Sequence, residues 1–308
     1  MKLKYVYYAA CLAGAMAFAS CSDDDIDHSV SVIIDSDRVE NDFDRWLYHE
    51  LVLPYNIEVK YRYEDIESDM DYQLVPADYQ KSVQLTHLVK FLCLEAYDEI
   101  TGSKDFMRSY FPKMIVMTGS AAFQNNNSKV LGQAEGGRKI TLFEVNEMNP
   151  DNIALLTENY FHTIHHEFAH ILHQTIPYDP SFDQISGSMY RGDDCFDYYQ
   201  YSDALAQQDG FITAYAATEG AEDFVEIISN YVTKTEDDWN GILANAGDGA
   251  DIIEQKFNIV YNYMNDTWNI NLNTLRDIVL RRSVEAEDLD VDDLTIPSDE
   301  KPEEIPLS

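Results

Sequence analysis

Basic side chains are scarce in this chain. Lys and Arg number 21 against 56 Asp and Glu, giving a formal charge of −35 at neutral pH. Such a field repels phosphate backbones and anionic membrane surfaces, which excludes nucleic acid as a partner and leaves neutral or cationic ones. Cysteine is scarce too, at four residues. Cys11 and Cys21 fall at the extreme N-terminus, so only Cys93 and Cys195 remain, too few for a disulfide framework. Cys93 sits in the apolar helical pattern of residues 88–94 and reads as a buried thiol, with a single bond to Cys195 as the alternative. Beyond the first twenty residues no apolar run is long enough to span a membrane, and no internal repeat is evident. The 45% hydrophobic content is enough for a sizeable core in one large or two coupled lobes.

Residues 1–20 read as a signal peptide: Lys2 and Lys4, an apolar run from Tyr5 to Ala19, then Ser20 before Cys21. Cys21 is the expected acylated N-terminus of a lipoprotein, residues 21–37 an acidic tether, and the lipid the membrane attachment. Ser22-Asp23-Asp24-Asp25 resembles the acidic surface-export signals of Bacteroidetes-type lipoproteins. That resemblance implies an outer-membrane lipoprotein facing the cell exterior.

The body of the chain changes character near its middle. Residues 41–51 read as a short helix, 56–63 as a half-buried strand, and 77–101 as a long helix entered after Pro76 and closed by Gly102. Short apolar runs at 113–118 and 139–144, with a possible strand around Val130, read as further strands before a helix over 152–174. Residues 177–209 form an irregular stretch rich in Asp, Ser, Gly and Tyr, longer than ordinary connections, and are expected to be a functional loop or partly mobile. Helical patterns follow at 219–233, 239–246, 250–266 and 272–282, and the acidic, Pro-containing tail over 285–308 is expected to be disordered. The fold class is therefore α+β: one domain over 38–284, with a mixed-sheet lobe at 38–176 and a mostly helical lobe at 177–284.

The chemistry concentrates in His166-Glu167-Phe168-Ala169-His170. Five of the eight histidines, 162, 165, 166, 170 and 173, fall within twelve residues. On a helix, residues four apart differ by about 40° around the axis, so His166 and His170 share a face and can bind one Zn²⁺. Glu167 flanks that face and is placed to take a proton from an activated water. His162 also stands four residues before His166, but only the 166/170 frame puts a Glu directly after its first His. His162 and His165 then read as exposed or orienting histidines, and His173 as a neighbour of His170 or of the cleft wall.

A catalytic zinc needs a third protein ligand. Glu222 and Glu226 lie one helical turn apart, so that one can bind zinc while the other accepts from a ligand histidine; Glu219 is a further candidate. Together, His166-Glu167-x-x-His170 and Glu222-x-x-x-Glu226 resemble the gluzincin zinc peptidases, most closely the lethal-factor-like type, in which a Tyr precedes the ligand Glu by seven residues. Here that residue is Tyr215. With the lipoprotein leader, the chain resembles the zinc-binding metallopeptidase lipoproteins of Bacteroidetes. The resemblance implies a zincin-like fold and hydrolysis of a peptide or protein substrate. It assigns Glu222 as third ligand, Glu226 as its hydrogen-bonding neighbour and Tyr215 as oxyanion donor. It also implies association with an outer-membrane nutrient-import complex, and a substrate paired along strand 139–144. The alternative is a non-catalytic surface lipoprotein that keeps the peptidase fold to bind a peptide or glycan.

Overall fold

Caps and apolar spacing set the helix boundaries in the computed structural model, which describes residues 40–64, 74–123, 129–130, 132–135 and 138–296. The leader, Cys21, the whole of the tether and residues 297–308 lie outside the described residues. Helix α1 (residues 42–55) starts at a reciprocal Asn41–Asp44 capping box, passes through a π turn at Tyr48–Val52 and ends at Asn56 in the left-handed region. Helix α2 (residues 79–101) is capped by Asp78, contains a π turn at Lys90–Leu94, and closes at Gly102 with φ 71°, where glycine carries no Cβ penalty. A further short helix, α3 (Asp105–Tyr110), precedes the inner strands.

Four strands form the main sheet in the order β1 (Glu58–Lys60), β2 (Met114–Met117), β6 (Lys139–Leu142) and β5 (Gly132–Glu135). A separate antiparallel pair joins β3 (Ala122–Phe123) to β4 (Lys129–Val130). Strands β1, β2 and β6 are parallel, in the register Val59, Ile115, Ile140, and β5 pairs antiparallel to β6. This corrects one expectation. Strand β6 is paired on both sides and has no free edge for a substrate; the outer strand beside the metal helix is β5.

Eight helices come next among the described residues: α4 (residues 153–175), α5 (Ser181–Ser186), α6 (Cys195–Tyr198), α7 (Asp203–Gln208), α8 (Gly220–Thr233), α9 (Glu236–Ala246), α10 (Ala250–Trp268) and α11 (Leu272–Glu285). The stretch expected to be irregular, 177–209, thus holds three short helices. Its second half shares a small core with the residues that follow, made of Cys195, Tyr199, Ala206, Phe211, Ala214, Ala216 and Ala217, while Phe182 joins the main core. The main core draws on both halves of the chain, from Phe43 to Ala286.

The tail is also corrected. Residues 286–296 stay ordered because Leu289, Val291 and Leu294 pack on the main core and Asp292 accepts from Gln80 and Gln84 at 2.6 and 2.9 Å. Cys93 and Cys195 are both buried and free.

On α2, the half-buried His87 lies against Trp46 with ring centroids 4.1 Å apart. Burial, aided by the Lys90 charge, pushes its imidazole down to about 4. Between pH 6.5 and about 4 the unfolded chain therefore takes up a proton that the folded chain refuses, so stability falls as pH drops through this window. His87→Phe should remove about 1–2 kcal/mol of the loss between pH 7 and 5, read from urea midpoints. Parallel pH profiles for the two proteins would refute this.

Candidate metal centre

Helix α4 does not run in one register. A π turn at Thr157–Phe161 inserts a residue just before the histidines, turning the rest of the helix by about 100° relative to its first turns. From His162 the helix is α-helical and buries Ile164, His165, Phe168, Ile171 and Leu172. Phe168 packs edge-on against Tyr97 at 5.0 Å and meets Phe106 and Phe111. His165 is part of this packing. Its Nδ1 lies 3.2 Å from the Tyr97 hydroxyl, and burial pulls it down to about 3, so it stays a neutral core residue.

The opposite face of α4 meets α8, and there the donors converge. His166 Nε2 and His170 Nε2 are 3.2 Å apart, and Glu222 Oε2 lies 3.0 Å from the first and 3.2 Å from the second. Zinc held at about 2.0–2.1 Å by tetrahedral N and O ligands separates its ligand atoms by about 3.3 Å. The triangle fits that ion. The chemistry of the donors agrees: His166 Nδ1 is 2.8 Å from Glu226 Oε1 and donates to it, which leaves the Nε2 lone pair pointing at a carboxylate oxygen and at a second imidazole. Such a convergence of electron pairs calls for a cation. Without one, a proton substitutes. Burial would push the His166 imidazole down, but its bonds to Glu222 and Glu226 hold it up at about 10.

Each predicted site residue has a definite place. Glu226 is buried, accepts from Thr213 Oγ1 at 2.7 Å and Asn230 Nδ2 at 3.2 Å, and is held down at about 2, against the effect of burial, by His162 and His166. Glu167 is half-buried, and its charge is felt by both His166 and Tyr215. Tyr215 sits in a short 3₁₀ turn with its ring 5.9 Å from that of His166. Burial and the charges of Glu222, Glu226 and Glu167 raise its phenol well above the ordinary range, so it keeps its proton and remains a donor. Glu219 caps α8 in extended backbone, is exposed, and lies outside the ligand cluster of His166, His170 and Glu222.

Two further histidines take up the neighbouring and orienting places expected of them, and a buried ion pair lies beyond what the sequence announced. His173 Nε2 is 3.0 Å from His170 Nδ1 and supports the second histidine as Glu226 supports the first. His162 Nε2 is held by Ser229 and Asn230 at 3.0 and 3.1 Å, beside Glu226. The next residue after Glu222, Asp223, forms a fully buried ion pair with Lys256 at 2.5 Å. Tyr190 donates to Asp223 at 2.9 Å, and Lys256 donates to the Gly210 carbonyl at 3.0 Å. A lysine in the apolar stripe of α10 was the available signal for this pair.

Glu226→Gln keeps the shape but replaces a charged acceptor with a neutral one whose amide also has protons to place. Loss of such a supporting partner typically costs about 10–100-fold in metal affinity. Zinc titration against a competing chelator should show that loss; unchanged affinity would remove Glu226 from the metal's support.

The sequence matches the family model described as putative zinc-binding metallo-peptidase over residues 36–273. No curated protein matches it. A crystal structure of a putative zinc-binding metallo-peptidase from Bacteroides caccae ATCC 43185 is 40% identical, with a TM-score of 0.73, and the match covers 86% of this chain and 100% of that one.

Proposed function

The chain belongs to the family of putative zinc-binding metallo-peptidases, and from that premise we propose that it hydrolyses peptide bonds at the His166, His170 and Glu222 centre. The observation that carries this reading is the triangle of donor atoms at 3.0–3.2 Å, with a carboxylate one residue from its first corner. Zinc, when bound there, supplies a Lewis acid that polarises water and the scissile carbonyl. His166 and His170 would hold it as neutral imidazoles, with Glu226 and His173 placed to set their tautomers. Glu167 takes the proton from the attacking water and passes it to the departing amine nitrogen. Tyr215, kept protonated, donates to the oxyanion as the carbonyl carbon becomes tetrahedral, a contact that gains strength only as charge develops.

The test compares zinc-loaded and chelator-stripped protein on a diverse peptide mixture, with products identified by mass spectrometry. Cuts that require zinc and return when zinc is restored support the reading. A protein that binds one zinc and cuts nothing is instead a binding lipoprotein that has kept the fold. For location, Lys2, Lys4, the apolar run and Cys21 support a lipid-anchored protein, the likeness of Ser22-Asp23-Asp24-Asp25 to surface-export signals supports an outer membrane and exposure to the exterior, and the resemblance to Bacteroidetes lipoproteins supports service to a nutrient-import complex. Loss of palmitate labelling and of surface protease sensitivity in Cys21→Ser would test the anchor.

A further inference from the structure

A line of aromatic rings leads from the metal centre to solvent. Beyond Tyr215, Phe196 follows at 6.0 Å between centroids and 21° between planes, and Tyr201 at a further 5.7 Å and 15°. Tyr215 is 37% exposed and Tyr201 67%. Phe196 packs on the small core of the 195–217 segment, so the line is fixed from behind. The backbone also holds it: Gln200 and Tyr201 are consecutive non-glycine residues in the left-handed region, with φ 52° and 58°. Exposed aromatic surface and a strained turn each cost stability, and neither contributes to a core; the combination is typical of a binding surface.

The charge of the segment that carries Phe196 and Tyr201 bears on what the line binds. Asp193, Asp194 and Asp197 are exposed on the same segment. Arg191, the one basic residue between Met189 and Ser202, already lies over the Tyr198 ring at 4.1 Å. A neutral aromatic ligand would gain only from the rings. A guanidinium or ammonium gains from ring faces and carboxylates together.

We propose that the Tyr215, Phe196 and Tyr201 line is the subsite that takes an arginine or lysine side chain of the substrate, with Tyr201 as a specificity-determining residue. The inference rests on the peptidase reading. Two ring-to-ring steps correspond to about three or four residues of an extended chain at 3.3 Å each, so the basic residue lies within about four positions of the cut.

The test uses the full zinc-loaded protein and peptides that differ at one such position, carrying Arg, Lys, Ala or Glu. Tyr201→Ala should lower the Arg-over-Ala ratio of kcat/KM by about 3–30-fold, through KM, while Tyr201→Phe keeps most of it. An unchanged ratio, or no basic preference in the native protein, overturns the subsite. Calorimetric titration of zinc-loaded Glu167→Gln separates this inference from the activity it rests on. Arg peptide bound about 3–30-fold more tightly than Ala peptide, with the difference abolished by adding Tyr201→Ala, upholds the subsite even if nothing is cleaved. Equal affinities overturn it even if peptides are cut.

Discussion

Glu167→Gln should leave zinc at one ion per chain and lower peptide hydrolysis by about 10²–10⁴-fold, the usual contribution of a positioned general base. The two halves of this result have different origins. Zinc is retained because the donor triangle is built from His166, His170 and Glu222, none of which the substitution touches. Activity is lost because the isosteric amide cannot accept a proton, whatever its position. Metal analysis and initial rates on any peptide that the native protein cuts would decide the matter. A variant keeping more than about a tenth of the rate would remove Glu167 as the base, and a variant that loses zinc would make it part of the metal's support.

The largest stability effect is expected at Lys256 and Asp223. Both side chains are fully buried, and each has only a few neutral partners besides the other: Tyr190 for the carboxylate, the Gly210 carbonyl and the face of Phe211 at 4.1 Å for the ammonium. Lys256→Met or Asp223→Asn alone removes one charge and leaves its partner's stranded, which costs about 3–5 kcal/mol, a large part of the about 5–15 kcal/mol that holds a typical domain together. Replacing both by apolar residues, as in Asp223→Leu with Lys256→Met, should cost less than either single change, because no buried charge remains. Urea unfolding of the three variants measures this. Single variants within about 1 kcal/mol of the native protein would show that water reaches the pair. Because Asp223 comes directly after Glu222, the singles should also weaken zinc binding.

Features carried by local period were legible in the sequence. Four-residue spacing paired His166 with His170 and Glu222 with Glu226, and the fold brings the two pairs together across α4 and α8. Tyr215, placed by resemblance, lies beside His166. Less legible were the contacts that depend on distant pairing. Nothing local tells that β6 is flanked by β2 and β5, because an inner strand and a substrate-lining strand share the same apolar run. Nor does an acidic composition show that Leu289, Val291 and Leu294 find a groove in the core. Thr213 and Asn230 are ordinary polar residues until the fold delivers both to one carboxylate. The short helices of 181–208 were hidden because each is barely a turn or two long, and their stability comes from packing rather than from propensity: Phe182 enters the main core, while Cys195 and Ala206 enter the small one.

The spacing of the three donor atoms also bears on how the protein acquires its ion. A site whose corners already stand at ligand distance asks for little movement from an incoming cation, and two imidazoles with one carboxylate suit several first-row metals as well as zinc. Intrinsic affinity at such donors rises towards copper, so the donor set by itself does not select zinc. Zinc occupancy then depends on supply as well as on geometry, both in the cell and in whatever medium the protein is prepared from.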